Sequence, residues 1–214
     1  MKKLPTRRIL TAALAFTCGP LAAQEPLRVA QLSELADLSL EQLTNITVTS
    51  ASRRAERVIE APAAIFVLTA EDIRRSGATT LPELLRLAPN LQVVRADTSQ
   101  YVVTARGNIS GTANKMLVLI DGRTVYTPLF AGVFWDAQNV MIEDLERVEV
   151  ISGPGSTLWG ANAVNGVINI TTRSAAKTQG TLVALGGGNE ERGISARSGG
   201  KGSDDSSYRI YGKY

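Results

Sequence analysis

The chain has 214 residues, 44% of them hydrophobic and 20% charged, enough to bury one ordinary core with additional segments beside it. It contains no histidine and one cysteine, Cys18, which leaves no soft metal-ligand set and no Ser-His-Asp machinery within the chain. A formal charge of +3 overstates its basic character, because four of the 23 basic residues and none of the 20 acidic ones fall in residues 1–23. Without that stretch 19 basic side chains face 20 acidic ones, and the case for a nucleic-acid partner disappears.

Residues 1–23 have the layout of an export signal. Lys2, Lys3, Arg7 and Arg8 form a basic start, 9–17 an apolar run, and Leu21-Ala22-Ala23 a cleavage site before Gln24. The run is too short for a membrane span, which needs about 20 apolar residues. Cys18 is a poor acylation site because bulky Phe16 precedes it. Cleavage after Ala23 removes the only thiol.

Within 24–45, Leu32, Leu35, Leu38 and Leu43 recur near helical spacing, and Ser39 with Gln42 forms a capping-box pattern, so a short amphipathic helix is expected. It suits packing on the main domain and binding to a partner equally well. Ile46-Thr47-Val48-Thr49-Ser50 is β-branched and extended. Arg53, Arg54, Glu56 and Arg57 follow as a charged linker, so no hairpin partner is expected nearby. Such a strand either lends its backbone to another protein's sheet or forms an edge of its own.

From Pro62 the pattern is α+β. A strand is expected over 63–68, then Thr69 as N-cap with Asp72 three residues on, opening a helix over 70–76 that Gly77 ends. Thr80 caps a second helix with Pro82 in its first turn, stopping before Pro89. Strands are expected over 91–95, 101–106, 116–120, 147–151 and 167–172, with Asp121-Gly122 as a hairpin turn. Helices early and strands later predict a mixed sheet covered on one side. After Ser174 the chain turns to Gly, Ser and Thr in alternating patterns; over 208–214, Tyr208, Ile210 and Tyr214 share one face while Arg209, Tyr211 and Lys213 share the other, as in an outer-membrane strand.

The glycine-rich run 146–173, ERVEVISGPGSTLWGANAVNGVINITTR, tests for a phosphate cradle and fails. Gly160 is followed by Ala161-Asn162 where a Walker loop needs Lys-Ser/Thr, and Leu158 stands where a dinucleotide loop needs glycine. The carboxylate pair Glu143-Asp144 reads as a helix surface and no nucleophile–base arrangement is visible, so no catalytic residue, cofactor or metal is expected.

The same run carries a family resemblance. Arg147-Val148-Glu149-Val150, Gly153-Pro154, Ser156, Leu158, Gly160, Ala163 and 166–170 resemble the end of the plug domain of TonB-dependent outer-membrane transporters, with Trp159 where that family most often has tyrosine. Residues 62–69 with Glu71-Asp72-Ile73 look like the plug's opening, 81–89 its second helix, Arg106-Gly107 its central turn and 118–122 its hairpin. The resemblance implies a signal at 1–23, a periplasmic segment at 24–52, a plug at 53–175 and the first strands of an incomplete antiparallel transmembrane β-barrel at 176–214. Two or three strands fall far short of a barrel of some 22, which implies a truncated chain or a freestanding plug.

It further implies that Asn45, Ile46, Thr47, Val48, Thr49, Ser50 and Ala51 form a TonB box that pairs as a strand with TonB, itself driven by an inner-membrane complex. Apical loops would offer Asp97, Thr98, Ser99, Gln100, Tyr126, Phe130, Phe134 and Trp135 to an extracellular metal chelate or corrinoid, although Phe134 and Trp135 suit internal packing equally well. Arg106 and Arg147 would pair with barrel-wall glutamates, although either also suits a solvated charge at a strand end. The location implied is the outer membrane, in contact with its lipid, with plug and N-terminus toward the periplasm. A periplasmic binding or signalling module that uses the plug fold without a pore is the rival reading.

Overall fold

The computed structural model describes residues 47–48, 56–57, 60, 63–97, 100–107, 114–129, 131–187, 192–203 and 206–214, all within a compact unit spanning 40–214. The export signal, the short helix expected within 24–45, and Asn45, Ile46, Thr49, Ser50, Ala51, Thr98, Ser99 and Phe130 lie outside the described residues. In chain order the elements are β1 (Thr47–Val48), β2 (Glu56–Arg57), β3 (Ala64–Thr69), α1 (Ala70–Ser76), α2 (Leu81–Leu85), β4 (Gln92–Arg95), β5 (Tyr101–Thr104) and β6 (Met116–Ile120). There follow β7 (Arg123–Thr124), β8 (Tyr126–Thr127), β9 (Gly132–Val133), β10 (Leu145–Ser152), α3 (Ser156–Trp159), β11 (Gly166–Thr172), β12 (Gly180–Gly187), β13 (Arg192–Lys201) and β14 (Ser207–Lys213).

A five-stranded sheet in the order β3-β10-β11-β6-β7 organises the region expected to be the plug. β10 pairs antiparallel with both β3 and β11, β11 runs parallel to β6, and β6 turns back into β7. The sheet is therefore mixed, as the early helices and later strands predict. Asp121 (φ 49°) and Gly122 (φ 78°) make the two-residue hairpin turn, because both central positions of the favoured type I′ turn need positive φ. Gly166 serves a different need: a Cβ there would lie 2.2 Å from the Ile151 carbonyl oxygen, so no other residue fits the ladder at that point.

α1 begins on the expected capping box. The Asp72 amide donates to Thr69 Oγ1 at 3.3 Å and the Thr69 amide donates to Asp72 Oδ2 at 2.9 Å, while Gly77 at φ 66° closes the other end. α2 opens on Thr80 with Pro82 in its first turn but stops at Leu85, earlier than the sequence suggests. The backbone then tightens into i→i−3 bonds, from Leu87 to Leu84 and from Ala88 to Leu85, as a helix approaching Pro89 must.

The main core lies on one face of the sheet. Leu68, Val148, Val150, Ile168, Ile170, Val118 and Ile120 point into it from the strands, and Ile73, Leu81, Leu84 and Leu85 cap it from α1 and α2. The expectation that the other face is uncovered needs correction: Leu117, Leu119, Ile151 and Val167 form a second cluster under Ala163 and Trp159. The intervening loop folds over this face because Gly155 and Ser156 both donate to the Ala163 carbonyl, at 2.8 and 2.9 Å. β6, with every residue buried, is accordingly a continuous apolar run rather than an alternating one.

β12, β13 and β14 form a separate antiparallel meander. Its alternation matches the sequence reading: Val183, Leu185, Ile194, Tyr208, Ile210 and Tyr214 are exposed on one face, and Ser195, Arg197 and Arg209 lie on the other, turned toward the plug sheet. No helix among the described residues is long and apolar enough to cross a membrane.

Replacing Ile168, fully buried at the centre of the sheet, by alanine should cost about 2–5 kcal/mol in equilibrium denaturation. Leu87→Ala, at a half-exposed position beyond α2, should change stability by no more than about 0.5 kcal/mol.

Candidate functional site: partner strand, loops and the plug–meander junction

Of the expected partner strand, Thr47 and Val48 are described, and they are not alone. Thr47 pairs with Arg57 and Val48 with Glu56 in a two-stranded antiparallel sheet, and Val48 is fully buried. The expectation that no hairpin partner lies nearby is therefore corrected. The charged run supplies that partner, since Arg57 and Glu60, 3.4 Å apart, carry their charges at the surface while the backbone pairs.

The first loop joins β4 to β5. Asp97 accepts a 2.7 Å bond from the Gln100 amide, Ala96 donates to the Gln100 carbonyl at 2.8 Å, and the Arg95 guanidinium lies over the Tyr101 ring at 5.6 Å. Asp97 is thus fixed as the turn's own cap, the role short acidic side chains play in tight turns, with its carboxylate at an exposed tip.

In the second loop β8 pairs with β9, so Tyr126 faces Val133 across a small hairpin that presents Leu129 almost fully to solvent. Phe134 is 41% exposed and Trp135 7%. Of the two roles left open for Trp135, the structure shows the packing one: its indole belongs to the main core with Val133 and Ile142. The 3₁₀ turn Trp135–Ala137 divides two adjacent aromatics into one outward and one inward side chain.

Arg106 sits at φ 60° next to Gly107 at φ 77°, exposed, with no ion pair to a described residue. Among the described residues Arg147 pairs with carboxylates close to it in sequence. Its Nε lies 2.6 Å from Glu149 two residues along the same strand face, and its Nη1 lies 3.7 Å from Glu146. Glu149 is wholly buried, and Asn169 directly across the ladder donates to its other oxygen at 3.4 Å. Strand periodicity makes this pairing local: positions i and i+2 share a face, so the arginine neutralises a carboxylate that the sheet itself has buried.

The contact between the plug sheet and the meander is made elsewhere. Asp144, expected on a helix surface, ends the 3₁₀ turn Ile142–Asp144 with its side chain only 2% exposed. Its Oδ1 accepts from Arg197 of β13, and its Oδ2 lies 3.4 Å from Arg209 Nη1 of β14. Around this pair Ser195 donates to Glu143 at 3.5 Å, Arg209 to the Arg173 carbonyl at 2.7 Å, Tyr211 to the Asn139 carbonyl at 3.3 Å and Lys213 to the Thr79 carbonyl at 2.5 Å. Five polar side chains of β13 and β14 thus each find a partner on the plug side. The only sequence signal for this was the alternation of Arg209, Tyr211 and Lys213, which gave the face but not the partner.

A protein-family model described as TonB-dependent Receptor Plug Domain matches residues 57–167, just over half the chain and nearly all of the five-stranded sheet with its helices and loops. The chain belongs to the TonB-dependent receptor family. Among curated relatives of this plug, the vitamin B12 transporter BtuB of Vibrio vulnificus is 31% identical over 150 residues, covering 70% of the chain and 24% of that protein. The ferric enterobactin receptor PirA of Pseudomonas aeruginosa is 31% identical over 183 residues, covering 77% of the chain and 24% of that protein. The pyoverdine outer-membrane receptor FpvA of Pseudomonas aeruginosa matches in fold, with a TM-score of 0.61 at 20% identity over 80% of the chain and 25% of that structure. The chain spans about a quarter of the length of the curated relatives it matches.

Because Glu149 is buried, Arg147→Met should destabilise the plug by about 3 kcal/mol, whereas Arg147→Met combined with Glu149→Leu should recover most of that loss in chemical denaturation.

Proposed function

We propose that this chain supplies the plug of a TonB-dependent outer-membrane receptor that takes up a scarce, bulky nutrient, either a cobalamin or a ferric siderophore. The observation that carries the reading is the two-faced meander behind a plug-family sheet. Its polar face meets the plug, while Val183, Leu185, Ile194, Tyr208 and Ile210 face outward as a lipid-facing barrel wall requires. That outward apolar face also favours a membrane plug over a freestanding periplasmic module. The names of the relatives, a vitamin B12 transporter and a ferric enterobactin receptor, support the two cargo classes. A transporter has no need of a catalytic group, and the chain is read as acting without one.

In this reading residues 1–23 direct export, 24–52 lie in the periplasm, 53–175 form the plug and 176–214 begin the barrel. Residues 45–51 form the box that TonB grips. Main-chain hydrogen bonds give a partner strand its hold, so β-branched Ile46, Thr47 and Val48 serve by favouring extended backbone. The short pairing of Thr47–Val48 with Glu56–Arg57 supports the same view, since two residues of ladder are easily exchanged for a longer one. Asp97, Gln100, Tyr126 and Phe134 are the described side chains proposed to meet the cargo; Leu129 stands exposed among them.

The test uses cells whose growth on limiting cobalamin, or on limiting iron with a siderophore, depends on the receptor carrying this plug. Thr47→Pro, which removes a ladder donor at an exposed position, should lower uptake at least tenfold, by about 1.4 kcal/mol or more of coupling, while Thr47→Ala leaves it near normal. Undiminished uptake in the proline variant would rule out the box. The limitation that arrests growth identifies the cargo.

A further inference from the structure

The polar side chains that β13 and β14 turn toward the plug are not equivalent. Ser195, Tyr211 and Lys213 reach separate oxygens of the plug. Arg197 and Arg209, on neighbouring strands, converge on a single carboxylate. Asp144 is rigidly placed: its amide donates to the Met141 carbonyl at 3.1 Å, and its carbonyl accepts from the Arg173 amide at 2.8 Å, where the chain leaves β11. The carboxylate is therefore tied by backbone to the plug and by charge to β13 and β14, the last two strands of the meander.

The charges do not balance. Two guanidiniums meet one buried carboxylate, and the arrangement is bonded unequally. Oδ1 holds Arg197, whereas Oδ2 is buried with no hydrogen bond among the described residues. Arg209 comes within ion-pair distance of Oδ2 while its hydrogen bonds go to the Arg173 carbonyl and Thr172 Oγ1. A cavity of about 330 Å³, lined by Asp144, Arg209, Tyr211, Asp121 and Arg123 among others, opens beside this point and leaves Arg209 room to change partners.

We propose that Asp144 is the anionic pin of an electrostatic latch that seats the β13–β14 sheet on the plug, with Arg197 as its fixed arm and Arg209 as its exchangeable one. Removing the pin leaves buried Arg197 and half-buried Arg209 without the carboxylate they share. Removing Arg209 leaves the Asp144–Arg197 pair intact, and removing Arg197 leaves Arg209 to close the short gap to the carboxylate. The damage should therefore follow charge and not volume, because Asp144→Asn is nearly isosteric. The latch depends on neither the cargo nor the box, so its failure would leave the proposed transport role standing.

Hydrogen exchange of the full chain folded in detergent micelles reads this directly. In Asp144→Asn, amides of 192–201 and 207–213 should exchange at least about tenfold faster, while those of 145–152 and 166–172 stay within about twofold. Arg197→Gln should give a smaller acceleration and Arg209→Gln the smallest. Unchanged meander amides in Asp144→Asn, or meander and plug amides accelerating together in all three variants, would overturn the latch. Should Asp144→Asn not fold, Asp144→Asn with Arg197→Gln restores the original charge balance and should fold again; failure of that rescue counts against the proposal equally.

Discussion

The antiparallel ladder between β10 and β11 is the constraint on which the remainder of the structure depends. Val148, Val150, Ile168 and Ile170 are fully buried on one face of it. Ile151 and Val167 serve the other face, so both sides of the same two strands are committed to packing. β3 joins along the outer edge of β10 and β6 along the outer edge of β11, and each brings its own neighbour: α1 follows β3, and β7 follows β6. Gly166 has no Cβ because the Ile151 carbonyl occupies that space, which binds the start of β11 to the end of β10 at close range.

Burying both faces of a central pair creates a problem wherever the sequence places a charge there. Two solutions occur side by side. Glu149 is neutralised within the sheet, by Arg147 on its own strand face and by Asn169 across the ladder. Asp144, at the mouth of β10, has no cation on its own strand at that distance and is met from outside by arginines of the meander. The first pair closes the plug on itself. The second joins the plug to the next sheet, and the backbone bond from Arg173 to Asp144 places that junction at the exit of β11. A polar meander face directed at the plug and an apolar face directed away then follow from the period-2 alternation of β13 and β14.

Local chemistry was legible wherever neighbours in sequence are neighbours in space. The Thr69–Asp72 capping box, the Gly77 cap, Thr80 with Pro82, and the Asp121-Gly122 turn all formed as their residue types require. So did the identity of the plug, because the glycines of 153–166 and the β-branched runs around them occur in a fixed order that few other folds need. The choice left open at Trp135 has a physical source: two adjacent aromatics in a loop look alike in sequence, and only the 3₁₀ turn decides which enters the core. The pairing of Thr47–Val48 was hidden because Glu56 and Arg57 contribute backbone and keep side chains that read as linker.

What the sequence by itself determined is therefore the longer strands and helices of the plug, the caps and the hairpin turn among them, the family, and the two faces of the last strand. Only the tertiary structure decided which charges meet. Arg147 lies two residues from its partner and Arg197 lies 53 residues from Asp144, yet nothing in composition distinguishes the two arginines. The reason is that an ion pair carries no sequence periodicity. Hydrophobic burial is read from spacing along one strand, whereas the meeting of Asp144 with β13 and β14 depends on how one sheet is set against another.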